Sequence, residues 1–172
     1  GNNFTCGSTF TVQDGGVFKV QGGETISTAP TFNASSTLYF TGDEDGTADT
    51  FTLTSIASTT NNLLIFASAD GTADTFMLGA TTTVNGNLNL EAGTLHASTT
   101  GNFGITLKGN WTALATSTFS AASGTVTVAT TSGKTITSGG ESFYNLTLIA
   151  TSVTITLEDD LDVNNHLTIT AG

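Results

Sequence analysis

The chain has 172 residues, about one domain, with 3 Lys, no Arg and 14 Asp plus Glu, for a net charge of -11. Its 37% hydrophobic residues and 11 Phe suffice for a core and exclude a disordered acidic tail. So little positive charge excludes nucleic acid and anionic lipid as partners, and without a long apolar run no membrane insertion is expected.

From the N-terminus, Ser8-Thr-Phe-Thr-Val-Gln13 and Val17-Phe-Lys-Val-Gln21 alternate apolar with polar residues and are set off by glycine pairs. They predict strands joined by tight turns, with Phe10, Val12, Phe18 and Val20 facing inward. Cys6 stands alone, so there is no intrachain disulfide, and burial is its expected fate. Gly1 in place of an initiator Met points to a processed or excised segment. Pro30 marks a turn or edge, and Ser36-Thr-Leu-Tyr-Phe-Thr41 resumes the strand pattern.

Asp45-Gly-Thr-Ala-Asp-Thr-Phe51 then returns unchanged as Asp70-Gly-Thr-Ala-Asp-Thr-Phe76, each copy behind an apolar run, Leu38 to Phe40 and Leu64 to Phe66. Further on, Val84-Asn-Gly-Asn-Leu-Asn-Leu-Glu-Ala-Gly93 is echoed by Val163-Asn-Asn-His-Leu-Thr-Ile-Thr-Ala-Gly172, an offset of about three such units. Units of about 25 residues are too small to bury an apolar face alone and must stack on their neighbours. The expected fold is all-β, a parallel β-solenoid of roughly seven ~25-residue rungs. It forms a single domain over 1–172, with a looser module to about 83, a clearer one over 84–163 and the start of a next at 163–172. An antiparallel β-sandwich is the alternative that the strand-turn rhythm also permits, but a sandwich has no reason to repeat at this period.

Lys108-Gly-Asn-Trp-Thr112, Ser117-Thr-Phe119, Ser123-Gly-Thr-Val-Thr-Val128, Lys134-Thr-Ile-Thr-Ser138, Phe143-Tyr-Asn-Leu-Thr-Leu148 and Leu161 to Ile169 occur in this order. Together they resemble a repeat of very long secreted and cell-surface β-rich proteins of bacteria, including candidate-phylum bacteria. The resemblance covers Val84 to Gly172 well and the earlier residues loosely. It implies an extracellular, structural or adhesive module without enzyme activity. Asn164-Asn165-His166 and the two Asp-rich copies depart from that repeat.

Asp43-Glu-Asp-Gly-Thr-Ala-Asp49 has the spacing of a calcium loop, in which several oxygens converge around a glycine turn. The second copy has Ser68-Ala69 where the first has Asp43-Glu44. Stacked rungs would set Asp45 beside Asp70 and Asp49 beside Asp74, about 4.8 Å apart. Asp43, Asp45, Asp49, Asp70 and Asp74 are the candidate ligands, with calcium as the candidate cofactor. The alternative is a solvated acidic turn that keeps the protein soluble.

Glu158-Asp-Asp-Leu-Asp162 reads as an exposed corner rather than a metal site. His96 and His166 lack a third ligand at zinc spacing. Trp111, Phe143 and Tyr144 would make a sugar platform if exposed, and core if not. Asn3, Asn33, Asn110 and Asn145 open Asn-x-Ser/Thr triplets that arise readily by chance in a chain this rich in Thr. The sequence contains no catalytic constellation, so no enzyme activity is expected.

The expected function is structural, a subunit or segment of a secreted surface fibre, filament or sheath. Its partners would be copies of itself end to end, or adjoining modules of a longer chain. The runner-up is an adhesin module that binds a glycan or a surface.

Overall fold

The computed structural model describes residues 3–28, 30–53, 63–68, 74–97 and 100–171. Among them every strand ladder is parallel, which excludes the sandwich. The chain winds as a β-solenoid of about seven turns.

One long sheet runs its length. It takes a strand from each coil in chain order, Val17–Val20, Thr37–Phe40, Leu63–Ala67, the first half of Asn87–His96, Trp111–Ala113, Lys134–Thr137 and Ile155–Leu157. A second sheet stacks Thr82–Val84, Ile105–Leu107, Thr125–Thr130, Ser142–Ala150 and Asp162–Ala171. A third runs through the middle coils only, from Thr50–Leu53 through Thr75–Leu78 and the second half of Asn87–His96 to Ser117–Ser120.

That third sheet sets the rung length. Val17 pairs with Thr37, and Thr125 with Asn145, each twenty residues on. Thr37 instead pairs with Leu63, twenty-six residues on, because its coil accommodates Thr50–Leu53 as an extra strand. The expected rung of about 25 residues therefore describes the middle of the molecule, and the coils at both ends are shorter. The long echo does not keep phase either: Leu88 pairs with Leu64 and Trp111 in the long sheet, whereas Leu167 pairs with Leu146 in the second.

Alternation within each strand supplies the core. Leu38 and Phe40, Phe76 and Leu78, Ile105 and Leu107, and Val126 and Val128 point inward, while Tyr39, Met77, Thr106 and Thr127 between them are only half-buried. β-branched threonine suits an extended backbone and keeps its hydroxyl hydrated on the outer surface. Residues in register stack in columns, so the Phe40 and Phe66 rings lie parallel with centroids 5.0 Å apart, and Phe76 packs against both. A second aromatic column joins Trp111, Phe119 and Phe143.

Corners are held by polar ladders of the same one-coil spacing. Asn110 N–H donates to Asn87 Oδ1 (2.9 Å), and Thr135 N–H donates to Asn110 Oδ1 (3.0 Å). Gly109 is needed beside them, since a Cβ there would strike the backbone of Gly86 in the preceding coil.

At the N-terminus Val12 and Val20 are buried as expected. Phe10 and Phe18 are only partly so, and close with Phe4 into a cluster of rings whose centroids are 5.3 to 5.7 Å apart. Cys6 is of intermediate exposure rather than buried, and its N–H donates to the Ser27 hydroxyl.

Candidate functional site

The acidic repeat forms the corner between the long and third sheets. After the inward Phe40 the chain turns at Gly42, whose φ of 72° suits glycine and where a Cβ would collide with the Asp74 carboxylate. Asp45 closes an Asx turn, its Oδ1 accepting from Thr47 N–H (2.8 Å) and the Thr47 hydroxyl (2.6 Å). The strand Thr50–Leu53 then begins in register with Thr75–Leu78, so Thr50 and Phe51 of the first copy stack on Thr75 and Phe76 of the second.

Asp74 is the centre of this corner and is wholly buried. Asp49 N–H, one coil back, donates to its Oδ1 (3.1 Å), and the Ser68 hydroxyl donates to its Oδ2 (3.0 Å). Ser68 holds, one repeat on, the place of Asp43, so the second copy brings a donor where the first brings a charge. In the next coil the corner narrows to Gly93, which lies under the Asp74 carbonyl and Ser68.

Carboxylate oxygens of Asp43, Asp49 and Asp74 lie within 4.8 Å of one another. Asp43 Oδ1 is buried and has no hydrogen-bond partner. Desolvation, then the charges of Asp45, Asp49 and Asp74, push the Asp43 carboxyl above the usual range against the pull of a backbone hydrogen bond. Asp45 goes the other way, lowered by the Thr47 hydroxyl and N–H.

Of the five candidate ligands, the structure thus brings Asp43, Asp49 and Asp74 together. Asp45 is exposed and committed to its own turn, and Asp70 lies outside the described residues. Ser68 was not among the candidates; its one-repeat offset from Asp43 was the signal available in the sequence.

The other features fall where their plainer readings put them. Trp111 and Phe143 are 1% exposed and belong to the core, so with Tyr144 half-buried these residues form no sugar platform. His96 pairs with Met77 and Ser120 in the third sheet, and His166 is exposed in the second, so the two do not meet. In the run from Glu158 to Asp162, Asp159 accepts from the N–H groups of Ser138 and Gly139 in the coil before, both at 2.7 Å. Burial raises its carboxyl, but these bonds outweigh it and hold the group below the usual range.

Two further surfaces were not foreseen. Lys108 and Lys134, two of the three lysines, line one groove of about 570 Å³ with Asn85, Thr130, Thr131 and Ser132. At the C-terminal end, the last coil leaves Leu157, Leu167 and Ile169 exposed, at 44%, 47% and 68%, beside a cavity of about 370 Å³ walled by Leu148, Val153 and Ile155.

These features define the chain as a β-solenoid repeat protein. Compared with known proteins, it matches no family model, no curated sequence and no solved structure.

Proposed function

We propose that this chain is a structural module of a secreted, surface-exposed bacterial solenoid, and that its working surface is the open end of the coil. The observation that carries this is the last coil. Asp162–Ala171 is paired on one side by Ser142–Ala150, and Leu167 and Ile169 are left in solvent at positions whose partners, Leu146 and Leu148, are core. An unpaired, flat, apolar strand edge is a template for another strand. A second copy stacked end to end would cover it, and head-to-tail contact without closure yields a filament.

Sedimentation and electron microscopy of the 172-residue chain over a concentration series test the proposal. Association along the coil axis is expected, and Leu167→Lys with Ile169→Lys should abolish it while leaving the circular dichroism unchanged. A wild-type chain that stays monomeric throughout, or a double variant that associates equally well, refutes it.

The lysine groove favours a second reading, an adhesin that binds an acidic glycan. Hydroxyls and an amide beside two ammonium groups suit a sugar carboxylate. Binding to immobilised uronate oligosaccharides that is lost in Lys108→Gln with Lys134→Gln would support it over the first.

A further inference from the structure

We propose that the corner between the first two long coils is a calcium site, with Asp43 and Asp49 of one coil and Asp74 of the next as its protein ligands. The inference holds whether or not another copy stacks on the end of the solenoid. It starts from an atom that the solvated-turn reading cannot accommodate. Asp43 Oδ1 is shut off from solvent and receives no hydrogen bond, so neither bulk water nor the protein satisfies it.

Its surroundings make the vacancy of partners worse. The wholly buried Asp74 and the half-buried Asp49 bring their oxygens within 4.8 Å of that carboxylate. Among the described residues the donors to Asp74 are Asp49 N–H and the Ser68 hydroxyl, both neutral. Buried like charges at this separation repel strongly unless a cation or a proton intervenes.

The spacing fits a cation. Calcium binds oxygens at about 2.3–2.6 Å, so two ligands on opposite sides of one ion are about 4.6–5.2 Å apart. Oxygens no more than 4.8 Å apart therefore lie within the span of one ion and its ligands. The donor set is all oxygen, with no imidazole or thiolate in the group, which selects a hard cation over zinc. Water reaching in beside the half-buried Asp43 and Asp49 would complete the coordination. Because the ligands come from successive coils, the ion would fasten one turn of the solenoid to the next.

The test is calorimetric titration of the full 172-residue chain with calcium chloride, alongside thermal unfolding with and without about 5 mM of the salt, a concentration chosen for the weak range of extracellular calcium sites. Wild type should bind one ion and unfold about 4 °C higher or more in calcium. Sodium chloride at matched ionic strength should not reproduce the shift. Asp43→Asn should weaken binding at least tenfold and lose the shift, and its melting temperature without calcium shows whether it is folded. Asp74→Asn, which keeps an oxygen to accept from Asp49 N–H, should weaken binding as well. Asp159→Asn removes an acid at a distant corner and should keep the calcium response. No binding by wild type, an equal shift in sodium chloride, or undiminished binding by folded Asp43→Asn overturns the proposal.

Discussion

Trp111 offers a sharp test of how the core is balanced. The indole is 1% exposed, packed edge-on against Phe119 (4.8 Å between centroids) and Phe143 (5.1 Å), yet its Nε1–H has no acceptor. Burying an amide-like donor without a partner costs about 1–3 kcal/mol. Trp111→Phe removes that donor and keeps a six-membered ring in the column. The smaller ring leaves a void of roughly a few tens of Å³, which at about 24 cal/mol per Å³ costs about 1 kcal/mol, along with some lost contact. The two effects nearly cancel, so the variant should lie within about 1 kcal/mol of wild type. Trp111→Ala relieves the same donor but empties the site and should cost about 3–5 kcal/mol. Urea unfolding followed by circular dichroism measures both, since the only tryptophan is lost in each. A Trp111→Phe variant destabilised by about 3 kcal/mol or more would mean that the indole N–H is satisfied, and would refute the reasoning.

Gly42→Ala should destabilise by about 2–4 kcal/mol, since it puts a side chain at a positive φ and against the Asp74 carboxylate; a neutral result in urea unfolding would contradict the tight corner. Asn110→Ala removes the acceptor for Thr135 N–H and should cost about 1–2 kcal/mol, whereas Asn165→Ala, in an exposed pair with Asn145, should cost under about 0.5 kcal/mol. Asp159 is held below the ordinary carboxylate range when folded, so its stabilisation is full above the unfolded value near 4 and is lost as pH falls through the lower folded value. Asp159→Asn should thus be less stable than wild type at pH 7, and the gap should narrow on acidification below about pH 4.

The sequence made the fold legible wherever identical residues stack at one-coil spacing. Two copies of a seven-residue string revealed the register of Thr50 on Thr75 and of Phe51 on Phe76. Coil length was less visible, because the third strand is added or dropped in stretches that use the same Thr, Gly and apolar vocabulary as the rest. Gly124-Thr-Val-Thr-Val128 looks like Gly16-Val-Phe-Lys-Val20, yet Thr125–Thr130 lies in the second sheet and Val17–Val20 in the long one. A strand pattern records which side faces in, and nothing in it records which wall of the coil it builds. The acidic corner was legible for the same reason as the register, since Asp49 and Asp74 are equivalent residues of one repeat. Asp43 was legible as an acid and not as one with a buried oxygen, because the burial of Oδ1 depends on the turn at Gly42 and on the neighbouring coil rather than on local composition.

The position of that corner follows from the change in coil length. Where the solenoid has twenty residues per turn, as from Val17 to Thr37 and from Thr125 to Asn145, no strand of the third sheet is present among the described residues. Where it widens to take Thr50–Leu53, residues 41–49 leave the long sheet before that strand begins, and this detour carries Asp43, Asp45 and Asp49. Two coils later the detour has shrunk to Gly93, and the strand Asn87–His96 runs from the long sheet into the third without a break. Asp74 is buried because it is held between the wide corner that carries Gly42 and Asp49 and the narrow one at Gly93. Neighbouring coils of unequal girth therefore place a carboxylate in the interior, and the same mismatch brings Asp43 and Asp49 of the wider turn within reach of it. Among the described residues no other group of acids meets in this way, which is the result expected of a site made by a step in coil width rather than by the repeat itself.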